Sequence, residues 1–409
     1  MKRRYKNKYK SGRRKKTIGD SNLIPILKLS SCILLILAFV ASIIYLLLPW
    51  GLGKLGVEFY PPFVAKPTPV PTPVPTPTPN PLAVIDLNKL QQEVVIPGAE
   101  FHWFGDPCFY GDKLMLTAGE NVAGNVKMTS LFLYDPVTRE AIKQSIPLKH
   151  AHFMYPVFND KYICYLDAEM NGGGEIMVYA RGSAGGAVSI KTVHVGQPKL
   201  FLSGNYLVWI ERTGSSMDKL FVCDLSTMES TTLQMFSNSY YGMSYPFIYN
   251  NRIIWAGEDT DIATADVVSS MLHIHDINSA EGDNIKTNTY IHDPQYNGRY
   301  YAWLDNSHGI NSSIYVMGDD KLPRVIAKGA VEFGMGDDFV AYGMDQAIYV
   351  YVFSVNETFR ITTELQLTQF LGVSANHVMW MDVTSREKDI MKIADLSILL
   401  PSKAPNLGS

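Results

Sequence analysis

Histidine, tryptophan and tyrosine residues of this 409-residue chain lie in polar segments between apolar strand patterns. An imidazole can transfer protons or bind a metal, and an aromatic ring can stack on a sugar or a peptide side chain beside polar neighbours. We take these residues as candidate ligand-binding residues. They are His102, Trp103, His150, His152, Tyr240, Tyr241, Tyr290 and His292.

Two pairs of histidines have the i, i+2 spacing that places both imidazoles on one side of a strand: His150 with His152, and His273 with His275. A metal site needs three or four ligands, and the sequence assigns no third one. An acidic segment does not match an EF-hand loop, which favours a solvated loop. It contains Glu258, Asp259, Asp261 and Asp266.

Motifs of the common catalytic and nucleotide-binding sites are missing from the chain, including G-x-S-x-G, H-E-x-x-H and the Walker A loop. Carboxylate pairs for glycoside hydrolysis cannot be chosen among the many acids. The sequence therefore assigns no catalytic residue, no metal and no cofactor.

A sequence pattern, which we call the repeated phrase, recurs along the chain, and its strands must position the candidate residues. It consists of a turn, alternating apolar residues, an aromatic residue and usually an acid. The seven copies begin 38 to 49 residues apart, at Gly111, Asp160, Gly204, Asn250, Gly298, Asp337 and Ala375. This period, with short strands in each copy, is typical of propeller blades of four strands. We predict an all-β, seven-bladed β-propeller, with six or eight blades as alternatives.

The last copy lacks an outer strand, and a spare strand-like segment, Glu93 to Ile96, precedes the first copy. An unpaired strand edge invites aggregation. We therefore predict that the residues around Gln92 to Pro97 form the outer strand of the last blade, beside Ile390 to Leu396.

The aromatic residue and the acid of the phrase lie two positions apart, as in Tyr165-x-Asp167 and Trp303-x-Asp305. This sequence pattern resembles that of TolB-like and bacterial surface-layer-type β-propellers, over roughly residues 92–400. The resemblance implies an extracytoplasmic interaction platform and no specific catalytic residue. We expect the rings to pack between blades and the acids to accept backbone amides. The candidate residues would surround the channel mouth, either binding a ligand or simply filling it.

The N-terminal part has a different composition. Residues 1–28 hold eleven Lys or Arg and one acid, and residues 29–50 carry no charge. The uncharged stretch matches the length of a transmembrane helix, and the basic flank predicts a cytoplasmic N-terminus. A cleaved signal peptide is the alternative. The basic tail sets topology or contacts anionic lipid. We expect no nucleic-acid partner, because no DNA-binding fold accompanies the tail.

Residues 51–81 form a predicted stalk, in which Pro recurs at nearly every second position from Pro67 to Pro81. Such a segment is extended and semi-rigid. The propeller then covers residues 82–400, and residues 401–409 form a C-terminal tail. Cys108, Cys164 and Cys223 lie in apolar strand patterns, which favours buried thiols over a disulfide framework.

These expectations combine into a single-pass protein of the cell membrane, with an extracellular propeller that binds a protein or a wall glycan of a bacterial envelope. Two other interpretations remain: an enzyme acting on cell-wall or extracellular glycan or peptide through channel-facing His and acids, and a scaffold subunit of an envelope complex. Since propellers host many unrelated functions, the fold does not choose among them. The oligomeric state is left open.

Overall fold

The computed structural model describes residues 91–96, 103–122, 125–212, 217–236, 243–258, 270–279, 281–306, 312–363, 366–384 and 390–400. The predicted basic tail, membrane span, stalk and C-terminal tail lie outside these residues. Within them, no helix has the length and apolar character needed to cross a membrane.

The described residues form seven antiparallel sheets of four strands each. Blade 1 contains β2 (Trp103–Tyr110), β3 (Lys113–Val122), β4 (Asn125–Tyr134) and β5 (Ala141–Lys143). Blade 2 contains β6 (His152–Phe158), β7 (Tyr162–Ala168), β8 (Gly174–Ala180) and β9 (Val188–Val193). Blade 3 contains β10 (Phe201–Ser203), β11 (Tyr206–Glu211), β12 (Asp218–Asp224) and β13 (Glu229–Phe236). Blade 4 contains β14 (Phe247–Tyr249), β15 (Arg252–Glu258), β16 (Ser270–Asp276) and β17 (Gly282–Thr287).

Blade 5 contains β18 (Ile291–Tyr296), β19 (Tyr301–Asp305), β20 (Ser313–Met317) and β21 (Arg324–Lys328). Blade 6 contains β22 (Glu332–Met335), β23 (Phe339–Met344), β24 (Ala347–Val352) and β25 (Glu357–Arg360). Blade 7 contains β26 (Thr368–Val373), β27 (His377–Asp382), β28 (Ile390–Asp395) and the N-terminal β1 (Gln91–Glu93). The fold is a seven-bladed β-propeller, as predicted, and the alternatives of six and eight blades are wrong.

The ring closes where the sequence predicted. Strand β1 pairs antiparallel with β28, with Gln92 opposite Ile393, and the Val94 amide donates to the Met391 carbonyl at 2.9 Å. Val94 is 4 % exposed and belongs to an apolar cluster that joins blade 7 to blade 1. The N-terminal strand therefore supplies both the missing hydrogen-bonded edge and part of the core between the first and last blades.

The repeated aromatic residue has a framework role. It lies in the second strand of its blade and stacks across to the third strand, with ring centroids 5.3 Å apart for Trp209 and Phe221 and 5.8 Å apart for Trp303 and Tyr315. Trp303 also donates through Nε1 to the Thr289 hydroxyl at 3.0 Å. Cross-strand aromatic pairs of this kind stabilise sheets, and here they sit in the cores between blades.

The repeated acid, near the end of the second strand, binds the segment that leads into the innermost strand of the same blade. Asp167 is fully buried, and its two oxygens accept from the Lys149 and His150 amides at 2.7 and 2.9 Å. In blade 5, Asp305 accepts from the Tyr290 amide at 3.0 Å. These carboxylates thus fix the segment that leads into the innermost strand of the blade, as the sequence predicted.

Prediction one concerns the closing strand. We expect Val94→Ala to lower the free energy of unfolding by roughly 1 to 3 kcal/mol, because it leaves a cavity in the core between blades 7 and 1. The neighbouring Val95 is 57 % exposed, so Val95→Ala should change stability by no more than about 0.5 kcal/mol. Urea unfolding of both variants checks this. Equal, small effects would contradict the closure.

Candidate functional site

The five candidates within the described residues lie on one face of the propeller. We call this the top face, defined as the face where the second strands of the blades end and the innermost strands begin. Trp103 and His152 are the first residues of β2 and β6, and His292 is the second residue of β18. Tyr290 immediately precedes β18, and His150 lies two residues before β6. The other three candidates, His102, Tyr240 and Tyr241, lie outside the described residues.

The two candidate histidines of blade 2 are held mainly by their own surroundings. The His150 ring nitrogens lie 4.0 Å from Glu169 and 3.8 Å from Glu175. His152 Nδ1 accepts from the Met128 amide at 3.2 Å, and its Nε2 lies 3.0 Å from the Met170 sulfur. Burial lowers the pKa of His152, and the charge of Lys127 adds to this shift. His152 is thereby favoured in its neutral form.

In blade 5, His292 Nδ1 lies 3.2 Å from the Asp293 carboxylate. The Tyr290 backbone is fixed from both sides, because its amide donates to Asp305 and its carbonyl accepts from the Asn306 amide at 3.0 Å. The structure thus positions the described candidates on one face, through contacts that belong mostly to the blade framework. In blade 5, the residue of interest is therefore Asp293, which His292 contacts.

A single position recurs in, or just before, the innermost strand of every blade. In each blade, one residue of the innermost strand pairs with the residue just before the repeated aromatic position; in blade 4, Phe247 pairs with Ile254. In six blades, the residue two positions before this innermost-strand residue has a charged or phenolic side chain. We call these residues the inner ring: Asp106, Tyr155, Lys199, Tyr245, Asp293 and Glu332, in blades 1 to 6. Blade 7 carries Phe370, which is buried in the core.

Hydrogen bonds connect the inner ring from blade to blade. The Tyr155 amide donates to Asp106 Oδ2 at 3.1 Å, and the Tyr245 amide donates to Asp293 Oδ1 at 2.7 Å. The Asp293 amide in turn donates to the Ser244 hydroxyl at 2.9 Å. Neighbouring blades are therefore held in register at the level of the ring by side-chain to backbone contacts, which preorganise the ring residues.

Backbone strain marks the same position. Asp106, Tyr155 and Asp293 have φ angles of 44°, 47° and 50°, and each precedes a proline. The left-handed region is unfavourable for residues other than glycine, and a following proline restricts the residue further. The strand bulges at all three places. Strained backbone of this kind costs about 1 to 3 kcal/mol per residue and clusters at functional sites.

The ring residues share one electrostatic environment. Burial raises the pKa of Asp106, and the Tyr155 amide and the charge of Lys199 oppose this shift. The Glu332 side chain is exposed as a whole, but burial of its carboxyl group raises its pKa, again opposed by Lys199. Burial and then the charge of Asp106 raise the pKa of Tyr155 to about 12, so its phenol stays protonated at neutral pH. Because Lys199 of blade 3 acts on carboxyls of blades 1 and 6, groups on different sides of the channel interact.

Lys199 itself lies on aromatic rings. Its Nζ is 5.2 Å from the ring centroid of Tyr245 and 5.7 Å from that of Phe201, which is the geometry of a cation–π contact. Arg212 follows β11 on the same face and is exposed. Neither residue forms an ion pair with a carboxylate among the described residues. The blade 3 side of the mouth is therefore positively charged.

The second histidine pair belongs to the framework. His273 stacks on Trp255 with ring centroids 5.2 Å apart, and its Nδ1 lies 2.7 Å from the Asn284 side-chain oxygen. A Cβ at Gly257 would lie 2.2 Å from His273 Nε2, which explains why blade 4 has glycine in place of the repeated acid. Across the described ranges, no three His, Cys, Asp or Glu side chains are grouped as metal ligands.

Sequence reasoning missed the inner ring. The signal was present, since Asp106, Tyr155, Tyr245 and Asp293 each stand before a Pro in the innermost strand. Blades 3 and 6 have Leu200 and Phe333 at the position of that Pro, so Lys199 and Glu332 become equivalent only through the backbone register.

Comparisons with known proteins agree on architecture alone. No family model and no curated protein matches the chain. Among solved structures, the β-propeller domain of the Trilobed protease from Pyrococcus furiosus is similar, with a TM-score of 0.55 and 12% identity over 72% of this chain and 96% of that one. That domain is described as having an open velcro topology, whereas here β1 closes the ring.

An acylaminoacyl peptidase from Pyrococcus horikoshii matches with a TM-score of 0.51 and 10% identity, over 69% of this chain and 49% of that one, so the chain spans about half of that peptidase. TolB from Acinetobacter baumannii matches at a TM-score of 0.36 and 7% identity, over 71% of this chain and 78% of that one. The resemblance to TolB therefore stays at the level of the propeller fold.

Prediction two concerns Asp106. We expect Asp106→Asn to raise the thermal unfolding midpoint at pH 7, because asparagine keeps the acceptor for the Tyr155 amide and tolerates a positive φ, while it removes a charge that burial disfavours. The pKa of Asp106 is higher in the folded state than in the unfolded state. Its charge therefore lowers the free energy of unfolding at pH values above the folded pKa and has no effect below the unfolded pKa. The gain should therefore shrink as the pH falls toward about 4.

Thermal melts of the full chain at pH 7 and pH 4 measure this effect. Asp112→Asn, at an exposed position on the opposite face, is the matched control and should leave both midpoints unchanged. A lower midpoint for Asp106→Asn at pH 7 would mean that the ring depends on the carboxylate charge for its stability.

Proposed function

We propose that this protein is a membrane-anchored β-propeller of a bacterial cell envelope, which binds a protein or glycan ligand at its top face outside the cell. The inner ring carries this proposal. Six blades contribute a charged or phenolic side chain at one equivalent position, three of them on strained backbone. Asp106 and Asp293 accept backbone amides of neighbouring blades, so the proposal rests most on Lys199 and Glu332, which differ from them at the equivalent position.

The surroundings of the ring favour a ligand larger than the channel. Val195, Met217, Met243 and Tyr245 belong to segments that end on the top face in blades 2 to 4, and each is more than a third exposed. Methionine is a flexible, polarisable side chain that adapts to different apolar partners. Exposed apolar side chains on one face are typical of a surface that contacts another macromolecule.

The anchor is the second half of the proposal, and it rests on composition. An uncharged stretch of residues 29–50 follows a basic flank, and a proline-rich stretch leads on to the closing strand. Such a stalk would hold the propeller at a distance from the membrane.

Prediction three tests the anchor. We expect the full chain to stay in the membrane fraction through washes with high salt and alkaline carbonate, because a spanning helix does not depend on surface charge. Deletion of residues 29–50 should release the protein, whereas replacing the basic residues of 1–28 by serine should not. Release of the full chain by carbonate would refute the span. Protease added to intact cells should digest the propeller only if it lies outside.

Prediction four tests the binding face. A photo-crosslinking amino acid at Met243, on the top face, should form adducts in intact envelopes at several times the yield of one at Val137, which lies between β4 and β5 on the opposite face. Both side chains are well exposed, at 47 % and 81 %. Sensitivity of the adduct to protease or to a wall-glycan hydrolase identifies the ligand class. Equal yields, or adducts at Val137 alone, would contradict the assignment of the face.

A further inference from the structure

Apart from Asp106, whose carboxylate accepts the Tyr155 amide, the charges of the inner ring lie in two poles. Lys199, with the nearby Arg212, makes the blade 3 side positive, while Asp293 and Glu332 make the side of blades 5 and 6 negative. The two poles do not neutralise each other by contact, because no ion pair joins Lys199 to a carboxylate within the described residues. Lys199 instead lies over the Tyr245 ring at 5.2 Å. The ring thus keeps opposite charges available to a ligand.

The carboxylates of the negative pole, Asp293 and Glu332, form no ion pair with a described lysine or arginine. Asp293 accepts from the Tyr245 amide and lies near His292, but no described lysine or arginine pairs with it. Glu332 is exposed, and within the described residues it forms no ion pair with a lysine or arginine. A carboxylate in such surroundings gains from an approaching cation, since the cation restores interactions that water no longer supplies in full.

We propose that the inner ring binds a zwitterionic peptide, with the peptide carboxylate against Lys199 and Arg212 and its ammonium group against Asp293 and Glu332. This inference rests on the proposed function and names the ligand class of the same site. A neutral sugar would leave both poles without a partner, and a ligand of one charge would satisfy one pole and face repulsion from the other. The apolar rim of Val195, Met217 and Met243 suits peptide side chains.

The probes are di-, tri- and tetra-alanine, titrated into the full chain in lipid nanodiscs by calorimetry. Each peptide is used with free ends, with an acetylated amine, with an amidated carboxylate, and with both ends blocked. Blocking either end of the best-fitting length should weaken binding about tenfold, since one charge contact is lost. The preferred length measures the distance between the poles.

Variants assign each pole to its residue. Lys199→Met keeps an unbranched apolar stem and should abolish the preference for a free carboxylate, while the preference for a free amine persists. Glu332→Gln should do the reverse. A structural role would weaken all four peptide forms equally. The matched control is Lys321→Met with Asp283→Asn, which removes an exposed ion pair of 3.5 Å and should change nothing.

Several results would overturn this inference: no binding of any alanine peptide, equal binding of free and blocked peptides, equal effects of each variant on all forms, or competition by a neutral oligosaccharide. If the peptides fail while Met243 still forms adducts in the envelope, the ligand class is wrong and the binding face stands. If Met243 forms no adducts either, the proposed function fails as well.

Discussion

Closure of the ring is the constraint on which the rest of the molecule depends. A propeller blade buries its faces only against its two neighbours, so seven blades leave one open edge unless the first and last are joined. Here three residues, Gln91–Glu93, complete the last sheet, and Val94 fills the core between blades 7 and 1. Closure also brings innermost strands that are distant in sequence around one channel. Without it, Lys199 would not act on both Asp106 and Glu332.

Each blade contains two kinds of residue, which have different roles. Those that recur, such as Trp209, Trp303 and Asp167, are buried and satisfy the needs of the sheet: stacking across strands and binding of backbone amides. Those that vary lie where the framework leaves a side chain at the channel. The repeat therefore acts as an internal reference, because a residue that differs at an equivalent register cannot be explained by the blade geometry alone.

Much of the fold was predictable because its signals are local. Alternating apolar residues, turns and a constant period identify strands and blades, and the spare segment near Glu93 identifies the closure. The inner ring could not be found in the same way. Its position in blades 3 and 6 depends on which residues pair across two strands, and the electrostatic interaction of Lys199 with Glu332 joins blades that are distant in sequence. His273 shows the opposite case, since its metal-like spacing reflects stacking on Trp255.

The fold depends on a repeated pattern, whereas the inner ring depends on single side chains. Similarity in fold therefore says little about the chemistry at the channel. The propeller domain of the Pyrococcus furiosus protease shares the architecture at 12% identity, yet it is described as open where this ring is closed. The inner ring is set by single side chains on a shared backbone. Lys199 occupies the position that carries Asp106 in blade 1, and in both blades the residue two positions later pairs with the second strand. Residues of opposite charge thus stand at equivalent positions of one fold, so chemistry at the channel can change while the fold stays constant.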